Sequence, residues 1–152
     1  MRMTGQKPER TNRTRRLDLA RVLVVQDELA SRLTLQTILR AGGYAVDVAA
    51  STPEALAKLD EQEYELVLSD LELEAPESGR GVLRYARLKD YRPATAVVTT
   101  YHDHKQLRSQ EKHQHQISVE AADLSNLLSM VADLIGARAS RRAGRAVRQA
   151  FG

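Results

Sequence analysis

Cysteine is absent from the chain, which excludes a disulfide framework, a thiol nucleophile and cysteine-ligated zinc or iron–sulfur sites together. Long apolar runs are absent too: none approaches the roughly 20 residues that a membrane-crossing helix needs. The opening MRMTGQKPER carries charge without an apolar core, which argues against a secretory signal and for a cytoplasmic protein. At 152 residues the chain is long enough for one domain with a proper core and too short for two ordinary ones.

Acidic side chains are scarce only at the two ends. The formal net charge is +3, a total that suggests nucleic-acid binding until it is divided along the chain. Residues 1–21 hold seven Lys and Arg against Glu9 and Asp18, and residues 137–152 hold five Arg and no acid. Residues 22–136 hold eleven basic and eighteen acidic side chains. The basic character therefore belongs to the ends, around an acidic middle.

Met1 to Arg16 shows no recurring apolar position, so residues 1–19 are expected to form a basic, disordered tail that cannot offset its ordering entropy. Residues 137–152, ARASRRAGRAVRQAFG, are read as an Arg-rich tail, solvated and frayed at Gly144. Helical spacing of Arg138, Arg141, Arg142, Arg145 and Arg148 keeps a basic amphipathic helix open as an alternative. Nucleic-acid binding is not expected, because nothing in the sequence suggests a helix-turn-helix module and sixteen C-terminal residues are too few to form one.

Between the tails, residues 20–136 alternate short β-rich runs with helical patterns. RVLVV at 21–25 is a continuous apolar run, as expected of a strand covered on both faces. A helix follows over 29–40, stopped by Gly42 and Gly43. YAVDVAA at 44–50 is a second strand. Ser51, Pro53 and Glu54 then supply a hydroxyl cap, a first-turn proline and an acid for the dipole of a helix reaching about Glu61. YELVLSD at 64–70, a helix from about Arg80 to Lys89 and ATAVVTT at 94–100 continue the alternation. A polar helix over 103–112 and a short strand over 116–119 follow. Leu124, Leu127, Leu128, Val131, Leu134 and Ile135 then line one face of a last helix. This order predicts an α/β fold, a doubly wound, five-stranded parallel sheet of (βα)5 type.

In an open parallel sheet, functional side chains gather beyond the carboxyl ends of the strands. Polar residues end three apolar runs here: Gln26-Asp27-Glu28, Asp70, and Thr99-Thr100. Asp27 and Asp70 brought together would repel unless a proton or a hard divalent cation lay between them, and Mg²⁺ is satisfied by one or two carboxylates with carbonyls and waters. A strand-end hydroxyl beside them suits a phosphoryl oxygen. As isolated residues, each of these is an ordinary helix cap or turn former; their joint placement is what points to chemistry.

These motifs resemble the receiver domain of two-component response regulators. VLVVQDE at 22–28 is similar to the family's first strand and Asp-Asp-Glu motif, with Gln26 replacing the first Asp. YELVLSDLEL at 64–73 resembles the strand that ends in the phosphoacceptor, PESGRGVLRYAR at 76–87 the following loop and helix with Gly79 as the loop's last glycine, and AVVTTY at 96–101 the fourth strand. The resemblance implies a flavodoxin-like fold and a signalling module, not an enzyme. It implies Asp70 as phosphoacceptor, a Mg²⁺ site on Asp27, Asp70 and the backbone carbonyl of Glu72, and Thr99 as the switch hydroxyl. A histidine kinase or phosphotransfer protein is the implied partner, and a homodimer through the fourth and fifth strands the implied oligomer.

Two departures shape the functional expectation. Gln26 removes a carboxylate from the metal pocket, which weakens cation binding. At the fifth-strand position where the family places a lysine, this chain offers Glu120, or Val119 with a one-residue slip, and neither supplies the cation. Two functions follow: a stand-alone receiver accepting a phosphoryl group on Asp70 in a phosphorelay, or a degenerate receiver acting as a phosphorylation-independent interaction module. His102, His104, His113 and His115 form two His-x-His pairs, which are read as solvated and not as metal ligands.

Overall fold

A computed structural model describes residues 20–71, 73, 78–99, 116–118 and 124–151. Four strands form the body of one sheet: β1 (Arg21–Val25), β2 (Ala45–Ala49), β3 (Leu66–Asp70) and β4 (Ala94–Thr99). A three-residue segment, β5 (Gln116–Ser118), pairs along the outer side of β4. All pairings are parallel and the order is β2-β1-β3-β4-β5. The predicted helix over 103–112 lies outside the described residues, as does the N-terminal segment 1–19.

Helices α1 (Leu29–Ala41), α2 (Thr52–Glu61), α3 (Ser78–Arg87) and α4 (Leu124–Phe151) cover the two faces. Alternation along the strands explains the division. Val22 and Val24 of β1, Leu66 and Leu68 of β3, and Ala96 and Val98 of β4 meet Leu35 and Leu39 of α1 and Leu127 and Val131 of α4. Leu23, Val25, Val67 and Val97 point the other way, onto Ala55 and Leu59 of α2 and Val82, Leu83 and Ala86 of α3. A strand that feeds both layers needs apolar residues at successive positions, which is why RVLVV reads as an unbroken run.

Local chemistry fixes the helix starts. Ser51 Oγ accepts from the Glu54 N–H at 3.3 Å, the hydroxyl cap that the sequence predicts for α2, and Glu54 Oε1 accepts from the Ala50 N–H, one residue before the cap, at 2.8 Å. Helix α3 begins two residues earlier and ends two residues earlier than expected, at Ser78 and Arg87.

The last helix differs more. The sequence pattern favours an end near residue 136 and a frayed tail over 137–152, with a basic amphipathic helix as the alternative; α4 runs unbroken to Phe151, as in that alternative. Alanine and arginine are good helix formers, and one interior glycine costs only about 1 kcal/mol. Long-range bonds add to this: Arg138 Nη2 and Nε donate to the Tyr91 and Arg92 carbonyls at 2.7 and 3.0 Å, and Arg142 Nη1 to Tyr91 O at 3.1 Å.

Candidate functional site

The strand order reverses at β1. The connection through α1 leads outward to β2, and the one through α2 returns past β1 to β3. Loops leaving the carboxyl ends of β1 and β3 therefore diverge to opposite faces, and the crevice between them is where an open α/β sheet holds its ligand. Gln26, Asp27 and Asp70 stand at that crevice.

Val25 is level with Ser69, and Asp70 with Val98. Continuing the register by one residue sets Gln26 beside Asp70 on neighbouring strands, about 4.8 Å apart along the hydrogen-bonding direction. Thr99 follows Val98 at the end of β4. Structure thus brings together the ends of the three strands singled out in sequence. The side chain of Thr99 lies outside the described residues, and so do Glu72 and Glu120.

Gln26 is buried. Its backbone N–H donates to Ala49 O at 3.0 Å and its Oε1 accepts a long bond from the Glu28 N–H at 3.4 Å. Its Nε2 has no hydrogen-bond partner among the described residues. An unmet buried donor costs about 1–3 kcal/mol, which the surrounding apolar packing must offset. Asp27, in contrast, is exposed just beyond the strand. Glu28, the third member of the acidic motif, is occupied as the N-cap of α1, accepting from the Ser31 N–H at 3.3 Å and from the Ser31 hydroxyl.

Two further residues set the backbone of the crevice. Arg32, in the first turns of α1, donates through Nη1 to Gln26 O at 2.9 Å and to Asp27 O at 3.4 Å. Sequence reasoning missed it, because only the helix packing turns its guanidinium back onto the loop before α1. The other is Gly79, matched in sequence to the loop glycine. Its N–H donates to Leu71 O at 2.8 Å, and a Cβ on it would lie 1.5 Å from Asp70 O. The Ser69 hydroxyl also donates to Asp70 O at 2.9 Å, so the carbonyl of Asp70 is held on two sides.

The donor set suits a hard cation in part. Asp27, just beyond β1, and Asp70, the last residue of β3, are two carboxylates at adjacent strand ends, enough for Mg²⁺, which keeps several waters and takes few protein ligands. Gln26 adds an amide with an unmet N–H₂, a group that donates to an anion or a water and ligates a cation only through its oxygen. No group of three or more His, Cys, Asp and Glu suited to a metal ion occurs among the described residues.

A family model, the response regulator receiver domain, matches residues 22–124. No curated protein matches the chain in sequence. Among solved structures, a CheY-like receiver domain protein from Methanospirillum hungatei JF-1 is 25% identical with a TM-score of 0.66, covering 82% of this chain and 99% of that one. NtrX from Brucella abortus is 18% identical with a TM-score of 0.72, over 84% of this chain and 29% of NtrX. The anti-anti-sigma factor PhyR from Bartonella quintana is 17% identical with a TM-score of 0.64, over 92% of this chain and 58% of PhyR. The chain thus spans less than two thirds of the length of NtrX and of PhyR, and its likeness to both is one of fold.

Proposed function

The chain belongs to the response regulator receiver domain family, and from that premise we propose that Asp70 accepts a phosphoryl group from a histidine kinase or phosphotransfer protein. Receiver domains are in general signalling modules and not enzymes, and they bind Mg²⁺ in an acidic pocket. The observation that carries the reading is the position of Asp70: the last residue of β3, level with Gln26 across the switch point, its backbone braced by Gly79.

In this reading a carboxylate oxygen of Asp70 attacks phosphorus. The bond from phosphorus to the donor's imidazole nitrogen breaks, an acyl phosphate forms, and the released imidazole takes a proton from solvent. Little covalent work falls to the protein, whose contribution is positioning and charge neutralisation. Asp27 and Asp70, with the carbonyl of Glu72, would hold Mg²⁺, which when bound offsets negative charge on the phosphoryl oxygens. The unmet Gln26 N–H is available to an oxygen of the entering group, and the Thr99 hydroxyl is assigned to the acyl phosphate.

We read the short β5 as the fifth strand of a (βα)5 receiver over residues 20–136, flanked by basic segments 1–19 and 137–152. A cytoplasmic regulator that pairs through β4 and β5 accords with this. Among the described residues no helix is long and apolar enough to cross a membrane.

One observation favours a second reading. The neutral, buried Gln26 stands where a third carboxylate would strengthen cation binding, as in a degenerate receiver that binds its partner without phosphorylation. Incubation with acetyl phosphate and Mg²⁺, followed by intact-mass measurement, separates the two. The proposal expects one added phosphoryl group on the wild type and none on Asp70→Ala. An unmodified wild type, or equal modification of both, selects the interaction module.

A further inference from the structure

At the opposite end of the strands from Asp70, where β4 begins, the last helix outruns the sheet. Its 28 residues span about 42 Å at 1.5 Å each, against about 20 Å for the six residues of β4. Leu127, Val131 and Leu134 pack on the sheet. The same helical stripe continues as Arg138, Arg141, Arg142, Arg145 and Arg148, so the inward face turns from apolar to basic as α4 passes the edge of the core.

This overhang and the loop between α3 and β4 enclose a cleft of about 750 Å³, within the range of small-ligand pockets. Arg87, Arg92, Arg138, Arg141 and Arg145 line it, and Asp133 is its single acid. Met130, Leu134 and Pro93 give it an apolar side. Arg138 is committed to the Tyr91 and Arg92 carbonyls, and no hydrogen bond or ion pair engages Arg141 or Arg145 among the described residues. Burial and the neighbouring Arg142 both disfavour the charge on Arg138, a cost that an anion would relieve. The loop is held in an unusual form as well: Arg92 has φ 46°, a left-handed conformation that strains a long side chain and gathers at ligand clamps.

We propose that this cleft binds a compact organic polyphosphate of the nucleoside di- or triphosphate class. Planar guanidinium forks match phosphate oxygens two at a time, and Arg92, Arg141 and Arg145 beside one carboxylate suit linked phosphates better than a single phosphate. The apolar side accepts the uncharged part of the ligand. A concave cleft of this size also admits a small molecule more readily than duplex nucleic acid.

Titration calorimetry on the full chain, without Mg²⁺ and at physiological ionic strength, tests the assignment. Saturable one-to-one binding of ADP and ATP is expected, weaker binding of inorganic pyrophosphate, and no measurable binding of adenosine. Arg141→Gln/Arg145→Gln is expected to weaken ATP about tenfold or more, equivalent to about 1.4 kcal/mol, with an unchanged circular dichroism spectrum. Arg145→Gln alone gives a smaller loss should the double variant fold poorly, and Asp70→Asn binds as the wild type does. Absent binding of ADP and ATP at millimolar concentration, or affinity unmoved by the arginine variants, would overturn the proposal. So would tighter binding of hexaglutamate or of a duplex oligonucleotide than of ATP, which would assign the cleft to a protein or nucleic-acid partner.

Discussion

Gly79 lies directly against the carbonyl of Asp70: a Cβ placed on it would come within 1.5 Å of that oxygen and 2.9 Å of Leu71 Cα. Both obstacles are backbone, so neither can rotate away. The loop after β3 is thereby pinned to the start of α3 at the residue assigned as phosphoacceptor.

Gly79→Ala must move either α3 or the end of β3. Overpacking of this kind costs about 1–3 kcal/mol, and contact with backbone puts this case at the upper end. Urea denaturation should show that loss, and the rate of Asp70 modification by acetyl phosphate should fall with it. A variant within about 0.5 kcal/mol of wild type, the range of a neutral surface change, would mean that the close approach does not constrain the loop.

Much of the fold was legible in the sequence because its signals are local. The apolar run at 21–25, the capping residues Ser51 and Glu54, and the heptad-like face from Leu124 to Ile135 each depend on near neighbours. Asp27, Asp70 and Gly79 were legible for a related reason, since a polar residue ending an apolar strand and a glycine after it are visible as pattern. The features that were not legible depend on distance in the chain. Arg138 meets carbonyls at 91 and 92, so what favours the helical alternative over a frayed tail beyond residue 136 lies far away in the chain, although the helical spacing of the arginines is visible locally. Arg32 can be placed at the crevice only once α1 is docked, and the unmet Gln26 N–H₂ exists only because the surrounding core excludes water.

That unmet amide yields a second prediction, in two variants. Gln26→Met removes a buried donor without a partner and keeps similar volume, and should raise stability by about 1 kcal/mol, while slowing phosphorylation if the N–H serves the entering group. Gln26→Asp buries a carboxylate beside Asp70 and should be destabilised without Mg²⁺, since like charges at one site disfavour joint ionisation. Its melting temperature should then rise with added Mg²⁺ more steeply than that of the wild type, as binding to the native state alone requires. Parallel Mg²⁺ titrations of the two proteins would sink this account of the pocket.

Alkaline pH should destabilise the protein through its buried tyrosines. The Tyr64 hydroxyl donates to Asp47 Oδ2 at 2.7 Å, and burial, then this bond, hold its pKa far above the ordinary value. Tyr91, which donates to Leu59 O at 2.8 Å, is pushed up to about 12, chiefly by burial. A raised folded-state pKa gives stability that is complete below the unfolded value, near 10, and that drains as pH rises, by about 1.4 kcal/mol per unit for each group. For Tyr91 the loss falls between about 10 and 12. Tyr64→Phe should lower stability at neutral pH by about 1 kcal/mol and flatten the alkaline fall. Denaturation curves at pH 8 and above, with an unchanged slope in the variant, would count against it.

The continuity of α4 can be tested at its weakest point. Gly144 sits inside the helix, and the nearest neighbour of an added Cβ is Arg148 Nη1 at 3.6 Å, an ordinary contact with a flexible tip. Gly144→Ala therefore gains helix propensity without a clash and should stabilise the protein by about 0.5–1 kcal/mol. Gly144→Pro removes a backbone donor and obstructs the preceding turn, and in an unbroken helix should cost about 3 kcal/mol, less whatever the outer turns fail to transmit to the core. The contrast matters more than either value. If residues beyond Arg142 were frayed, both variants would leave stability and helical circular dichroism unchanged; opposite shifts in the two signals are expected if the helix reaches Phe151 as one element.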